Sequence, residues 1–278
     1  MTIVEMIGRA RREGWALGQF NISSLEVLQG IVAAAGKLHG PVIVGVSMGS
    51  LRHIGLPYLG GLIRGARAAA ATPLYFHLDH GDSFATVKDC IAIGFDSVMI
   101  DASRNRYDEN VRLVREVVDY SHPLGVGVEA QVGETWDEET GDLVETRTDP
   151  TQAAAFVAAT GIDYLAISFG NTPGRLDGKA DVDLDLVHAC AAASSVPLVL
   201  HGGTSIPDDA MRDAIAAGAA KVNIDTAIRK AVTITLHAKY GTSDGPSDPR
   251  KALQPVRDAV EQVVITKMQL FGCDQRTP

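Results

Sequence analysis

Leu74-Tyr75-Phe76-His77-Leu78-Asp79-His80-Gly81, followed by the amphipathic run Phe84–Ile93, is the unit from which the fold is read. A short apolar run bounded by turn residues reads as a buried strand, and the run after it has helical spacing. The same unit returns along the chain. Strands are expected at Ala16–Phe20, Pro41–Ser47, Leu74–Leu78, Ser97–Ile100, Gly125–Gln131, Tyr164–Ser168, Leu198–Leu200 and Lys221–Ile224. Helical patterns follow nearly all of them, as at Leu25–Lys37, Phe84–Ile93, Glu109–Tyr120, Thr151–Thr160 and Asp208–Ala216. Parallel strands covered on both faces read as continuous apolar runs joined by crossover helices. Eight such repeats over about 220 residues predict a (β/α)8 TIM barrel. It forms one domain over residues 1–278, with an extra C-terminal helix at Asp248–Phe271.

The competing architecture, a doubly wound open sheet, predicts a glycine-rich fingerprint after the first strand. Here Phe20-Asn21-Ile22-Ser23-Ser24 follows instead, a capped helix start. The barrel also explains why polar residues gather just after strands: Asn21, Ser47, Asp79, His80, Asp101, Asn171, His201 and Asp225. In a barrel these positions converge on the C-terminal face, where active sites are built.

Length and composition agree with one large domain. The chain has 278 residues, 46% hydrophobic and 21% charged, enough to bury a sizeable core. A formal net charge of −9 argues against a nucleic-acid partner, since phosphate backbones demand a basic surface. It leaves room for a small phosphorylated ligand, which needs only a few local donors. The apolar stretch Ala68–Phe76 is too short to span a bilayer, and Met1–Gly14 does not read as a signal peptide. Three scattered cysteines, Cys90, Cys190 and Cys273, without a CxxC pair, point to a reducing, cytoplasmic compartment.

Two connections are long for this architecture. Gly133–Pro150 is acidic and polar, and Gly170–Asp183 carries three glycines and a proline. Both follow strands, so both are expected above the barrel mouth, where long loops serve as lids or substrate clamps.

The chemistry concentrates at two strand ends. Along a strand, side chains alternate, so His77 and Asp79 share one face and Leu78 and His80 the other until the chain turns. A turn at the rim aims both Asp79 and His80 into the mouth. Imidazole is a common zinc ligand, and a neighbouring carboxylate can move protons. The partner segment is His201-Gly202-Gly203-Thr204. Gly202-Gly203-Thr204 and Asn223-Ile224-Asp225-Thr226 follow the seventh and eighth strands, where barrels often hold a phosphate on backbone N–H groups and hydroxyls.

Taken in order, these stretches resemble the class II ketose-bisphosphate aldolases, the fructose- and tagatose-bisphosphate aldolase family. The resemblance runs from Gly18-Gln19-Phe20-Asn21 to Asp248-Pro249-Arg250-Lys251. It includes Val98-Met99-Ile100-Asp101, Gly127-Val128-Glu129-Ala130, Val199-Leu200-His201-Gly202-Gly203 and Ala220-Lys221-Val222-Asn223-Ile224. It implies a zinc or other divalent-metal lyase that cleaves a phosphorylated ketose to dihydroxyacetone phosphate and an aldehyde, through a metal-stabilised enediolate. It carries two metal ligands to His80 and His201, and the acid–base role to Asp79. The carbon-proton exchange falls on Glu139 or its neighbour Glu138. Phosphate contacts carry over to Gly174, Gly202, Thr204, Asn223, Asp225 and Thr226, and Asn21 and Ser47 match substrate-pocket positions. Arg250 matches an arginine that reaches a neighbouring subunit's distal phosphate, which implies a homodimer or homotetramer.

Two departures lie on the metal side. The family's Gly-Asn-x-His-Gly falls on Gly170–Gly174 and puts Pro173 where a third histidine ligand belongs. Gln131 stands where a second acidic residue is common. Three expectations follow. In one, His80 and His201 hold the ion with water, substrate, or a carboxylate such as Glu129 or Asp101 completing the shell. In another, the protein is a metal-independent lyase or isomerase using Asp79, with Lys221 as a conceivable Schiff-base amine. In the last, it is a non-catalytic phosphosugar-binding homologue.

Overall fold

The computed structural model describes residues 1–133, 147–170, 182–241 and 245–277. Eight strands run in chain order: β1 (Leu17–Asn21), β2 (Val42–Ser47), β3 (Leu74–Gly81), β4 (Ser97–Ile100), β5 (Gly127–Val132), β6 (Tyr164–Ile167), β7 (Leu198–Leu200) and β8 (Ala219–Ile224). Each pairs in parallel with the next, and β8 pairs with β1, closing the barrel. The helices are α1 (Ile3–Glu13), α2 (Leu25–Leu38), α3 (Met48–Ile54), α4 (Leu56–Ala69), α5 (Phe84–Ala92), α6 (Tyr107–Ser121), α7 (Pro150–Thr160), α8 (Leu184–Ala193), α9 (Asp208–Ala216), α10 (Thr226–Tyr240) and α11 (Arg250–Phe271).

Local chemistry sets these boundaries. Ser24 caps α2 by accepting from the Val27 N–H, and Ser83 caps α5 by accepting from Thr86 N–H. α7 begins with Asp149 accepting from Thr151 and Gln152 N–H ahead of Pro150, and it stops at Gly161 in the left-handed region. Two features exceed the sequence pattern. α1, opened by the Thr2–Glu5 capping box, buries Met6, Ile7 and Ala10 and packs toward β8. The segment after β2 is two helices, parted at Gly55 with φ 83°. α11 is the expected C-terminal helix, and it packs along α2. A Cβ at Gly30 would stand 2.7 Å from the Arg257 carbonyl oxygen, so that helix crossing requires glycine.

The apolar core lies between the strands and the helix ring, filled by residues such as Phe20, Val44, Phe76, Phe156 and Leu200. The barrel interior is different. Gln19, His77, Glu129 and Lys221 are fully buried there, and the Glu129–Lys221 pair joins β5 to β8, which are not neighbours in the sheet.

Candidate active site

Alternation along four strands supplies the site in pairs two residues apart: Gln19 and Asn21 on β1, His77 and Asp79 on β3, Glu129 and Gln131 on β5, Lys221 and Asn223 on β8. Asn21 Nδ2 donates to Asp79 Oδ2 at 2.7 Å, and Asn223 Nδ2 donates to Asp79 Oδ1 at 3.0 Å. β1, β3 and β8 are related across the barrel mouth, so these bonds run over its opening. Both carboxylate oxygens of Asp79 therefore accept amide N–H groups.

Each of the two amides is itself oriented from below. Gln19 Nε2 donates to Asn21 Oδ1 at 3.0 Å, and Lys221 Nζ donates to Asn223 Oδ1 at 2.8 Å. An Asn whose oxygen accepts such a donor must aim its NH2 the other way. Burial favours the neutral acid at Asp79, but the neighbouring His80, then His201 and Lys221, outweigh it and hold the carboxyl down at about 2.

His80 breaks the strand alternation, as its position at the rim predicts. Its φ is 52°, left-handed at a non-glycine residue, a conformation that costs about 1–2 kcal/mol. The β3–β4 register shifts between Leu78 and Gly81 at the same place. The turn brings the His80 ring to 4.7 Å from the His201 ring, centroid to centroid, edge to face. One ligating atom from each of Asp79, His80 and His201 lies within 4.8 Å of the others.

Both rings are backed by carboxylates. His80 Nδ1 bonds Asp101 Oδ2 at 2.6 Å, and His201 Nε2 bonds Glu129 Oε1 at 2.8 Å. Asp101 is fixed in turn by the N–H and hydroxyl of Ser103 on its other oxygen. Burial opposes ionisation of Asp101, yet the His80 hydrogen bond and charge, with Ser103, hold it well below the usual carboxylate range. Burial lowers His80, but Asp101, Asp79 and Glu129 outweigh it and raise the ring to about 9. A carboxylate on one ring nitrogen fixes the tautomer and aim of the other, the arrangement that surrounds metal-binding histidines. His80 Nε2 and His201 Nδ1 are the atoms a cation would take, so the donor set fits a divalent metal.

Below this cluster Glu129 Oε2 forms a fully buried ion pair with Lys221 Nζ at 2.8 Å. Burial opposes ionisation of Glu129, but the Lys221 charge, with the His201 hydrogen bond, holds it well below its usual range. His77 Nε2 stands 3.6 Å from Glu129 Oε2, beyond hydrogen-bond reach, while its Nδ1 bonds Ser97 Oγ at 2.6 Å. Burial, with Lys221, pushes His77 down to about 3, so it is neutral.

Several sequence expectations change here. Asp101 Oδ2 and Glu129 Oε1 are turned onto the two imidazoles. Lys221 is no Schiff-base amine. Its ammonium is buried between Glu129 and Asn223, with no exposed surface from which to attack a carbonyl. The Asn223 side chain is committed to Asp79 and Lys221, so a phosphate would meet only its backbone. Ser47, in register with Asp79, caps α3 by accepting from Ser50 N–H at 3.3 Å.

The described phosphate candidates lie together at the β7 and β8 ends. Thr204 Oγ1 accepts from Ala227 N–H at 3.2 Å, tying the Gly202–Thr204 loop to the first turn of α10, which Thr226 opens. Asp225, just before it, pairs with Arg229 at 3.1 Å. Arg250 is 88% exposed and forks onto Asp248. Glu139, Glu138, Pro173 and Gly174 lie outside the described residues. The described ends of their two segments meet: Arg147 pairs with Asp183, and Thr148 Oγ1 bridges the Val132 carbonyl and Ser168 N–H. Gln19 and His77 lie beneath the polar rim residues to which the sequence points. Their only signal is a polar side chain inside an otherwise apolar strand.

The profile of the family described as fructose-bisphosphate aldolase class-II matches residues 1–276. A fructose-bisphosphate aldolase from Geobacillus stearothermophilus is 38% identical over 98% of this chain and 96% of its own length. One from Giardia intestinalis is 36% identical over 98% of this chain and 92% of its own. Among solved structures, the YdjI aldolase from Escherichia coli K12 superposes with a TM-score of 0.88 at 32% identity, covering 100% of this chain and 99% of that one. With the barrel, the strand-end cluster and these matches in hand, the chain belongs to the class II fructose-bisphosphate aldolase family.

Proposed function

We propose that this chain catalyses reversible, divalent-metal-dependent aldol cleavage of a phosphorylated ketose, giving dihydroxyacetone phosphate and an aldehyde. The observation that carries it is Asp79, held on both oxygens by Asn21 and Asn223, in one cluster with two carboxylate-backed histidines. His80 and His201 would hold the cation, and zinc suits two imidazoles. When bound, the cation supplies Lewis acidity to the substrate's ketone.

The chain's own residues do the rest. Asp79 starts as the carboxylate and accepts the proton of the hydroxyl beyond the carbon–carbon bond that breaks. The O–H pair becomes the aldehyde carbonyl, and the bond pair moves to the carbon beside the ketone. In the synthetic direction Asp79 returns that proton. The proton at carbon is assigned to Glu139, from the loop after β5. Gly202, Thr204, Asn223, Asp225 and Thr226 surround a phosphate at the start of α10, where N–H groups point outward, and the family match assigns Gly174 to the same phosphate. Asn21 and Ser47 border the sugar.

Arg250 extends from the surface toward a second copy in a cytoplasmic homodimer or homotetramer. No helix among the described residues is long and apolar enough to cross a membrane.

Pro173 in place of a third imidazole favours a second reading, a lyase or isomerase that works from Asp79 without metal. A coupled assay over a panel of ketose phosphates, run with and without chelator, separates the two. Cleavage that stops with chelator and returns with zinc supports the metal reading. Full-rate cleavage by metal-free protein replaces it with the second. No cleavage of any ketose phosphate, alongside tight binding of dihydroxyacetone phosphate, overturns both.

A further inference from the structure

The buried Lys221 has no place in the chemistry above, yet it touches both halves of the site. Its Nζ lies 2.8 Å from Glu129 Oε2 and 2.8 Å from Asn223 Oδ1. Glu129 leads to His201, and Asn223 leads to Asp79. A lysine side chain only donates. It therefore forces the Asn223 oxygen downward and its NH2 upward onto Asp79. The same ammonium pins the Glu129 carboxylate whose other oxygen holds the His201 ring. β8 and β5 are not sheet neighbours, so this ion pair joins them across the barrel interior.

We infer that Lys221 is the positioning residue that sets the proton-transfer carboxylate and the metal-binding imidazole together, acting through Asn223 on Asp79 and through Glu129 on His201; this rests on Asp79 being the proton-transfer group. The two arms differ in kind. The Asn223 arm sets an amide orientation, which changes turnover. The Glu129 arm sets a ring behind the cation, which changes metal affinity. The β1 side lacks this coupling. There Gln19 orients Asn21 alone, and Gln19 Oε1 is buried without a hydrogen-bond partner among the described residues, so that amide is free to reverse while the lysine is not.

The test uses Lys221→Met, which keeps an unbranched chain and removes the donors, with Asn223→Ala, the double variant and Asp79→Asn as a control. Turnover on the best ketose phosphate, KM, zinc affinity by chelator competition, and melting temperature are measured for each. Lys221→Met is expected to lower kcat on the order of 10²-fold, the scale of a roughly 1 Å misplacement, with KM nearly unchanged. Zinc affinity falls about 10–100-fold, the usual effect of losing an outer-shell partner.

Asn223→Ala lowers kcat without the loss of zinc affinity, and the double variant is no slower than Asn223→Ala alone, as expected when one residue acts through another. A purely structural lysine would lower the melting temperature and leave kcat and zinc affinity alone. That outcome, or losses in kcat that multiply in the double variant, overturns the inference.

If Lys221→Met leaves Glu129 uncompensated and does not fold, Lys221→Met/Glu129→Gln restores charge balance. It must then turn over more slowly than Glu129→Gln, and equal rates overturn the inference as well. Wild-type activity in Asp79→Asn would sink the underlying assignment instead, so the two failures are told apart.

Discussion

Asp79→Asn separates folding from chemistry unusually well in this site. Asp79 accepts from Asn21 at 2.7 Å and from Asn223 at 3.0 Å. Replacing one oxygen by NH2 sets a donor against one of those donors. Asn223 cannot reverse, because Lys221 needs its oxygen. Asn21 can, because Gln19 can reverse with it and present its idle Oε1 to the Asn21 NH2. The hydrogen-bond ring is thus rebuilt at a cost of about 1 kcal/mol or less, a shift of roughly 2–4 °C in melting temperature for a domain of this size class. Chemistry has no such escape. An amide cannot take the hydroxyl proton, and general acid–base catalysis contributes about 10²–10⁴-fold, or roughly 2.7–5.5 kcal/mol of barrier. A coupled cleavage assay beside a thermal melt and dihydroxyacetone phosphate binding reads all three. The expected result is a folded, binding-competent protein with kcat down by at least about 10²-fold. A variant that keeps wild-type kcat refutes Asp79 as the proton-transfer group, and one that fails to fold refutes the compensating reversal.

Other perturbations report on neighbouring parts of the site. Gly45→Ala would drive a Cβ into Asn21 Oδ1 and to 2.6 Å from Gln19 Nε2; it should cost about 1–3 kcal/mol of stability and lower kcat on the order of 10²-fold, and a wild-type rate would show that Asn21 is dispensable. Pro173→His should raise zinc affinity in a chelator competition, and His80→Ala should lower it in both backgrounds; no response to either substitution would move the cation elsewhere or remove it. Burial pushes the Cys90 and Cys273 thiols up to about 12 and Cys190 to about 11. Thiolate reagents at pH 8 should therefore label the native chain very slowly and the denatured chain at all three cysteines; rapid native labelling would contradict their burial.

Much of the fold is legible because the barrel repeats one local pattern. The run Leu74–Leu78 followed by Phe84–Ile93 declares strand and crossover, and eight returns close a ring. The missed helix α1 comes before the first strand, where no periodic partner announces it. His80 shows how far local reasoning reaches: alternation puts it on the wrong face, so a rim turn is required, and φ of 52° supplies it. The positioning network was not legible. Lys221 and Glu129 are 92 positions apart, and Asn223 and Asp79 are 144 apart. Nothing in spacing or periodicity couples such pairs until closure of the barrel brings β5, β8 and β3 around one interior. Glycine and hydroxyl residues after β7 and β8 do suggest an anion site from sequence alone. The side chain of Asn223 shows the limit of that inference, since its partners are Asp79 and Lys221.

The central claim is that a cation held by His80 and His201 works beside Asp79, and metal reconstitution tests it most directly. The protein is stripped with chelator and zinc is titrated back, while bound metal and cleavage of a ketose phosphate are followed in the same sample. Cleavage that is lost on stripping and rises in step with bound zinc, saturating at a single ion per chain, is the predicted result; His80→Ala and His201→Ala should each need far more zinc to reach it. Cleavage that persists undiminished in stripped protein, with no zinc bound at saturation, would contradict the account.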